Sequence, residues 1–197
     1  NVLCIEGSAR WEFRYLRAML KRDPRINATF IATRAQPELA QQSSEYIAEF
    51  PEDREEAFSY DLVILGDVNS SFFSVEAFQR LEELVKDRGG SLLMLCGSRY
   101  APASYAGTPV ERMLPVGFDP DAAWEEVDES VYPVLTPEGR SSLVMTLEND
   151  QEDNDLVWSR VAPLDRVPPL LAPRPGATVL AELSDTQSRA DRYPLVA

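Results

Sequence analysis

The chain has 197 residues, of which 44% are hydrophobic and 26% charged, the balance of a globular protein that can bury a core without disulfides or metals. Its 33 acidic side chains outnumber its 19 basic ones and give a net charge of −14. This charge argues against binding to nucleic acids or anionic membranes, because both depend on clustered Lys and Arg. It contains no histidine, which excludes His-dependent catalytic triads and His-ligated metal sites within the chain.

The first half of the chain alternates predicted strands and helices. The apolar run Val2 to Glu6 predicts a buried strand, and apolar residues spaced by three and four from Trp11 to Arg22 predict a helix, with Ser8 as its N-cap. The predicted elements that follow are strands at Ile26 to Ala32, Asp61 to Gly66 and Ser91 to Cys96, short helical turns around Pro37 to Phe50 and Arg54 to Phe58, and a long helix at Val75 to Arg88. Strand, helix and strand at this spacing indicate an α/β fold with a mainly parallel sheet.

The second half has a different composition. Twelve of the 15 prolines follow residue 100, and residues 116 to 158 hold 12 acidic side chains against one basic, a local charge of −11. Strands are predicted at Val179 to Leu183 and at Tyr193 to Val196. We interpret residues 1–197 as one domain with acidic insertions at about 116–158, and the run 148–155 as a solvated loop, since it lacks the glycine and terminal glutamate of a calcium loop.

The two ends of the chain both lie inside apolar runs, and the first residue is not Met. We therefore expect the chain to be a piece of a longer protein. No uninterrupted apolar stretch approaches the length of a membrane span, so we expect no direct membrane insertion by this segment.

Polar residues that could carry chemistry follow the predicted strands. In an open parallel sheet such residues gather beyond the carboxyl ends of the strands. The candidate binding residues at this edge are Glu6, Ser8, Arg10, Asp67, Arg99 and Tyr100. A buried Glu6 needs a cation, and by topology Arg10 and Arg99 are the nearest. The alternative is an unpaired Glu6 close to Cys96, acting as a base.

Cys96 follows the fourth predicted strand at a sharp turn, the place of a nucleophile in related architectures. Without histidine its only candidate base is a carboxylate such as Glu6, and a buried, inert thiol is the favoured interpretation. Because the third strand separates the first from the fourth in the expected order, Cys4 and Cys96 are predicted to be free thiols.

A basic stripe runs along the first predicted helix, in an otherwise acidic chain. It consists of Arg10, Arg14, Arg17 and Lys21, and residues 1–34 hold seven basic and three acidic side chains. Such a stripe is either a solvated face or a docking surface for an acidic partner, including the segment 116–158. No glycine-rich phosphate loop is present, and we expect no metal and no cofactor.

Five segments resemble the class I glutamine amidotransferase-like domain of large bacterial membrane proteins, which often also carry a von Willebrand factor A domain. They are the opening residues 2–26, YDLVILGDV at 60–68, GGSLLMLCGSRYAPASYAGTPVERMLPV at 89–116, VLTPEGRSS at 134–142 with the later LVWSRVAPL at 156–164, and RPGATVLAEL at 174–183. The resemblance implies a flavodoxin-like three-layer sandwich in a soluble domain that other segments anchor to a bacterial membrane.

The active amidotransferases that this family resembles use a Cys, a His and a Glu. The resemblance matches only the region of Cys96 here, and Ser141 and Ser142 stand where it implies a His. We therefore expect a non-catalytic interaction or ligand-sensing module that binds a protein partner or other domains of its parent. The alternatives are a hydrolase or amidotransferase using Cys96 or Ser98 with Glu6, and a receiver-like phosphoacceptor using Asp67 with Glu6.

Overall fold

The computed structural model describes residues 1–8, 10–34, 43–184 and 193–197. It divides the chain into two compact units, residues 1–113 and residues 114–197, where the sequence analysis treats the chain as a single domain. We call them the N-terminal unit and the C-terminal unit.

The N-terminal unit is built on a four-stranded parallel sheet. Its strands are β1 (Val2–Glu6), β2 (Ala28–Ala32), β3 (Leu62–Leu65) and β4 (Ser91–Met94). The order across the sheet is β2-β1-β3-β4, with Cys4 of β1 level with Phe30 on one side and Ile64 on the other. The apolar run of β1 is buried on both faces, as expected of an inner strand of a parallel sheet. All four strands confirm the sequence prediction, three of them at slightly shorter length.

The helices of this unit are α1 (Trp11–Arg22), α2 (Arg54–Ala57), α3 (Val75–Arg88) and α4 (Pro109–Met113), with single 3₁₀ turns at Ser70–Phe72 and Ala103–Tyr105. The predicted bounds of α1 and α3 are confirmed. The start of α3 is fixed by Ser74, whose hydroxyl accepts a hydrogen bond from the backbone N–H of Ala77 at 3.0 Å. Its end is fixed by Gly89, which adopts the left-handed conformation at φ 75°.

The two long helices cover the sheet. On α1, Leu20 packs in one cluster with Cys4, Phe30 and Ile64 of the strands, while α3 buries Ala77, Leu81 and Leu84. The chain moves one way across the sheet from β1 to β2 and the other way from β3 to β4. Right-handed crossovers therefore place α1 and α3 on opposite faces, which makes this unit α/β with helices on both sides of the sheet.

One local prediction for this unit is wrong, and another falls partly outside the described residues. The prediction that Ser8 caps α1 is wrong, because the N-cap position belongs to Arg10, whose side chain makes no capping hydrogen bond. The backbone carbonyl of Ser8 instead accepts a hydrogen bond from the Arg10 N–H at 2.8 Å. The helical turn predicted around Pro37 to Phe50 falls in part outside the described residues, which resume at residue 43.

The C-terminal unit is mainly antiparallel. Its strands are β5 (Val116–Phe118), β6 (Glu125–Leu135), β7 (Leu164–Val167), β8 (Leu170–Pro173), β9 (Ala181–Ser184) and β10 (Tyr193–Val196). Four of them form a sheet in the order β10-β9-β6-β7, and β5 pairs with β8. The strand predicted at Val179 to Leu183 begins and ends slightly later, and the strand at Tyr193 to Val196 is confirmed, paired antiparallel with β9.

The acidic part of this unit is ordered into elements. It contains β5, β6, α5 (Pro137–Arg140), a 3₁₀ turn at Leu143–Met145 and α6 (Gln151–Trp158). The prediction of a solvated loop at 148–155 is therefore wrong. The carboxylate of Asp150 caps α6 by accepting hydrogen bonds from the backbone N–H groups of Glu152 at 2.8 Å and Asp153 at 3.2 Å. The acids of the first turn also suit the positive end of the helix dipole.

None of the helices in the described parts of the chain combines the length and the apolar character that a membrane crossing requires.

Candidate functional site

The carboxyl ends of β1, β3 and β4 bring the predicted polar residues together at one edge of the sheet, called here the carboxyl edge. The Arg10 guanidinium bonds both the carboxylate of Glu6, after β1, and the backbone carbonyl of Cys96, after β4. The carboxylate of Asp67, after β3, bonds the backbone of the segment that follows Cys96. The sequence-based expectation of one shared edge is confirmed.

Glu6 is buried, with 4% of its surface exposed, and both of its carboxylate oxygens have partners. Oε1 accepts from the backbone N–H groups of Gly7 at 2.9 Å and Ser8 at 3.3 Å. Oε2 accepts from Nη2 of Arg10 at 2.8 Å and from its Nε at 3.3 Å. The prediction that an arginine holds Glu6 is confirmed, and the arginine is Arg10. Glu6 is thus an anchored carboxylate, not an unpaired base.

Arg10 links two strand ends through one side chain. Besides its two bonds to Glu6, its Nη1 donates to the backbone carbonyl of Cys96 at 3.2 Å. Partial burial lowers the pKa of Arg10, but the hydrogen bonds and the negative charge of Glu6 outweigh that effect and the net pKa is raised. The planar guanidinium suits this role because its fork places several donors in fixed directions.

Asp67 is equally buried, with 3% of its surface exposed, and it binds backbone rather than a cation. Its Oδ1 accepts from the N–H groups of Tyr100 at 2.7 Å and Ala101 at 2.9 Å, and its Oδ2 accepts from that of Arg99 at 3.2 Å. Three donors in a row fix the loop after β4. The same contacts leave little of the carboxylate open to a phosphodonor, which disfavours the receiver-like hypothesis.

Each buried acid lies against a glycine at the end of the neighbouring strand. A Cβ added to Gly66 would lie 2.2 Å from Oε2 of Glu6, and one added to Gly97 would lie 2.4 Å from Cγ of Asp67. Both distances are far below van der Waals contact. The side chain of Glu6 thus packs directly against Gly66, which follows β3, and that of Asp67 packs against Gly97, which follows β4. The same arrangement, a buried carboxylate packed against a glycine of the next strand's end, therefore occurs twice at the carboxyl edge.

The two thiols are free, as predicted, and β3 separates their strands in the sheet. Burial raises the pKa of Cys96 to about 11; the charge of Asp67 adds to that effect, while a backbone hydrogen bond and Arg10 oppose it. Burial and then the charge of Glu6 raise the pKa of Cys4 to about 12. Both thiols are therefore protonated at neutral pH, which makes them weak nucleophiles.

The remaining predicted residues of the carboxyl edge are more accessible. Ser98 and Arg99 are exposed, and within the described residues neither side chain forms a hydrogen bond or ion pair. Ser98 therefore has no base beside it in that part of the chain. The hydroxyl of Tyr100 accepts a hydrogen bond from Nη2 of Arg34 at 2.6 Å, and the Arg34 guanidinium lies 5.7 Å from the centre of the Tyr100 ring.

The basic stripe of α1 is used in several ways. Arg10 binds Glu6, while Arg17 and Lys21 both pair with Glu45 of the segment that precedes α2. Arg14 lies over the ring of Trp11, with its guanidinium carbon 5.4 Å from the ring centre. The stripe is therefore neither a plain solvated face nor wholly available for docking.

Sequence reasoning missed Tyr105 and the role of Glu45. Tyr105 is fully buried and its hydroxyl has no hydrogen-bond partner among the described residues. Burial, followed by the charges of Asp67 and Glu6, raises the pKa of Tyr105. The only sequence signal for it was its position soon after β4. Glu45 lies in a polar segment without periodicity, so no pattern indicated its partners.

A surface pocket of about 330 Å³ lies away from the carboxyl edge. Its lining includes Arg54, Phe58, Glu83 and Arg88. Arg88 ends α3 just before β4 begins, so the pocket lies near the amino ends of the strands. Arg88 stacks on the Phe58 ring at 4.8 Å and Arg54 pairs with Glu83, so both arginines of the pocket already have partners. In the parts of the chain that the structure describes, no group of Cys, Asp and Glu side chains is arranged to hold a metal ion.

Comparisons with known proteins bear on the fold. No model of a known protein family matches the chain, and no curated protein sequence matches it. A similar solved structure is the cytoplasmic protein STM3548 from Salmonella typhimurium, with a TM-score of 0.61 and 19% sequence identity over 92% of this chain and 78% of that one. At this identity the similarity extends to the α/β fold alone.

Proposed function

We propose that the chain is a non-catalytic interaction module with a flavodoxin-like, class I glutamine amidotransferase-like fold. The strand order β2-β1-β3-β4 supports the fold, because the first four strands of a flavodoxin-like sheet have this order. Five segments that resemble the amidotransferase-like domains of bacterial membrane proteins support the family and a membrane-anchored parent. In this proposal the amidotransferase name describes the fold and not an activity.

The observation that carries the proposal is the position of Arg10 between Glu6 and Cys96. Its guanidinium neutralises the carboxylate that would have to act as a base, and it bonds the backbone of the residue that would have to act as nucleophile. Cys96 would need a base to form its thiolate, because its pKa is raised to about 11. The groups that suggest catalysis in the sequence thus link the ends of β1 and β4.

The proposal predicts a slow reaction of Cys96 with iodoacetamide in the folded protein at neutral pH. A thiol with a pKa of about 11 instead of 9.0 has about a hundredfold less thiolate, and labelling slows accordingly. A Cys4→Ser variant assigns the label to Cys96, and the same variant unfolded in denaturant gives the reference rate. Rapid, saturable labelling of folded Cys96 would contradict the proposal and favour a Cys-dependent enzyme.

A further inference from the structure

The outer face of α1 presents three large apolar side chains to solvent. Trp11, Tyr15 and Met19 are 67%, 69% and 51% exposed, and they follow one another at intervals of four residues. Arg14 and Arg22 flank them and are also exposed. We call these five residues the outer α1 face.

This helix is apolar on two sides, which is unusual for a helix at the surface. Its other side, with Phe13, Leu16 and Leu20, already packs on the sheet. A surface helix normally has one apolar stripe, and that stripe faces the core. A second stripe that contains Trp, Tyr and Met, beside Arg, has the composition of the central residues of protein interfaces.

The aromatic pair is already organised. The rings of Trp11 and Tyr15 stack with centres 6.4 Å apart and planes 29° apart, and Arg14 covers the Trp11 ring. Side chains that hold their positions before binding lose less conformational entropy when a partner covers them. The outer α1 face is therefore preorganised for binding to a partner protein surface.

Charge indicates the chemistry of the partner. Neither Arg14 nor Arg22 forms an ion pair with any described residue, and together they outnumber Glu12, the single acidic residue of α1. Two outer α1 faces would repel one another. The matching surface must combine exposed apolar side chains with carboxylates.

The C-terminal unit carries such a surface. Leu143, Val144 and Leu147 are 90%, 79% and 55% exposed, and the exposed acids Glu148 and Asp150 follow them. We call these residues the 143–150 patch. It lies within residues 116–158, whose net charge is −11.

The backbone of the 143–150 patch is fixed from within its own unit. Asn154 is buried, and its Oδ1 accepts hydrogen bonds from the N–H groups of Leu147 at 2.7 Å and Glu148 at 3.2 Å. Nε1 of Trp158 donates to the carbonyl of Met145 at 2.9 Å. The exposed leucines therefore project from an ordered turn and not from a free loop.

We propose that the outer α1 face of one copy of the chain binds the 143–150 patch of a second copy. The inference rests on the proposed interaction function and names its partner. Each surface is unsuited to pair with itself, because one is basic and the other acidic. The contact therefore joins unlike surfaces of the two copies.

Sedimentation velocity over a range of protein and salt concentrations tests the proposal. The chain is expected to associate as its concentration rises, and the association should weaken at high salt, because counterions screen the arginine and carboxylate charges. A chain that stays monomeric from micromolar to near-millimolar concentration at low salt would overturn the proposal.

Two double variants test the surfaces separately. Trp11→Ala with Tyr15→Ala and Leu143→Ser with Val144→Ser should each weaken association about tenfold or more. Val75→Ser is the matched control, because Val75 is 68% exposed and lies outside both surfaces. All of these side chains are exposed, and circular dichroism of each variant checks that it folds.

Mixing the two double variants gives the sharpest result. The mixture retains one intact outer α1 face and one intact 143–150 patch, so it should associate more strongly than either variant alone. A mixture that behaves like its separate components would overturn the proposal, as would a 143–144 variant that associates like the parent chain. These results do not depend on thiol labelling, so failure here is distinguishable from failure of the proposed function.

Discussion

The carboxyl edge and the outer α1 face differ in how the fold treats their side chains. At the carboxyl edge, Glu6 and Asp67 are buried and every carboxylate oxygen accepts a hydrogen bond from a neighbour. On the outer α1 face, Trp11 and Tyr15 are about two-thirds exposed; their rings stack, and Arg14 lies over the Trp11 ring. Residue types that suggest chemistry are thus held inside the fold, while an ordinary helical segment leaves large apolar side chains exposed to solvent.

Filling the space beside a buried acid is expected to lower the stability of the fold strongly. Gly97→Ala would place a Cβ 2.4 Å from Cγ of Asp67, whose carboxylate is held by three backbone N–H groups and cannot easily move. We expect the free energy of unfolding to fall by about 2 to 3 kcal/mol in denaturant titrations.

The control for this variant is Gly117→Ala, where the nearest atom, Cβ of Leu171, would lie 3.3 Å away. Its effect should stay below about 1 kcal/mol. If both substitutions change the free energy of unfolding by the same small amount, Gly97 is not tightly packed against Asp67.

A pH series tests the burial of the two thiols, of which Cys96 lies at the carboxyl edge. In the folded state the pKa of Cys96 is raised from 9.0 to about 11 and that of Cys4 to about 12, so the folded chain binds these protons more tightly than the unfolded chain. Stability from this source is complete below pH 9 and is lost as the pH rises toward the folded values. We expect a loss of about 1 kcal/mol per thiol over the first pH unit above that point.

Denaturant titrations of the parent chain and of Cys96→Ala measure this loss. The variant lacks one of the two raised thiols, so its stability should fall less steeply in alkaline solution. Identical slopes would mean that Cys96 titrates in the folded chain as it does in the unfolded one.

The smallest effect is expected on the outer α1 face. Replacing Trp11 and Tyr15 together by Ala should change the free energy of unfolding by no more than about 0.5 kcal/mol, because both side chains are largely exposed in the folded chain. Leu20→Ala, on the inner side of the same helix, should cost about 3 kcal/mol. A comparable loss from the aromatic pair would mean that it serves the fold rather than binding.

Sequence patterns located the parallel sheet well because its elements carry local signals. The bounds of β1, α1 and α3 follow from apolar periodicity and from residues such as Asp23 and Gly89 that end helices. The pairing of Glu6 with an arginine followed from topology and the cost of burying a lone charge, but the choice of Arg10 over Arg99 came from the structure. The partners of Asp67 did not follow, because backbone N–H groups leave no mark in the sequence.

The C-terminal unit was harder to predict because its strands contradict the usual preferences. β6 runs from Glu125 to Leu135 and contains four acidic residues and Pro133, a composition depleted in strands. It pairs with β7 along its first part and with β9 along its last part, and those contacts override the local preference. The acidic residues of α6 similarly favoured the prediction of a loop, where the chain forms a helix that Asp150 caps.

The central claim, that the carboxyl edge holds the fold together, is tested most directly by the energetic coupling between Glu6 and Arg10. A double-mutant cycle of Glu6→Gln and Arg10→Met, measured by denaturant unfolding, compares each single variant with the pair. We expect each single change to cost about 3 kcal/mol, because each leaves a polar partner buried without its counterpart. The coupling should then exceed about 1.5 kcal/mol. Single changes that add to within about 0.5 kcal/mol would contradict the account.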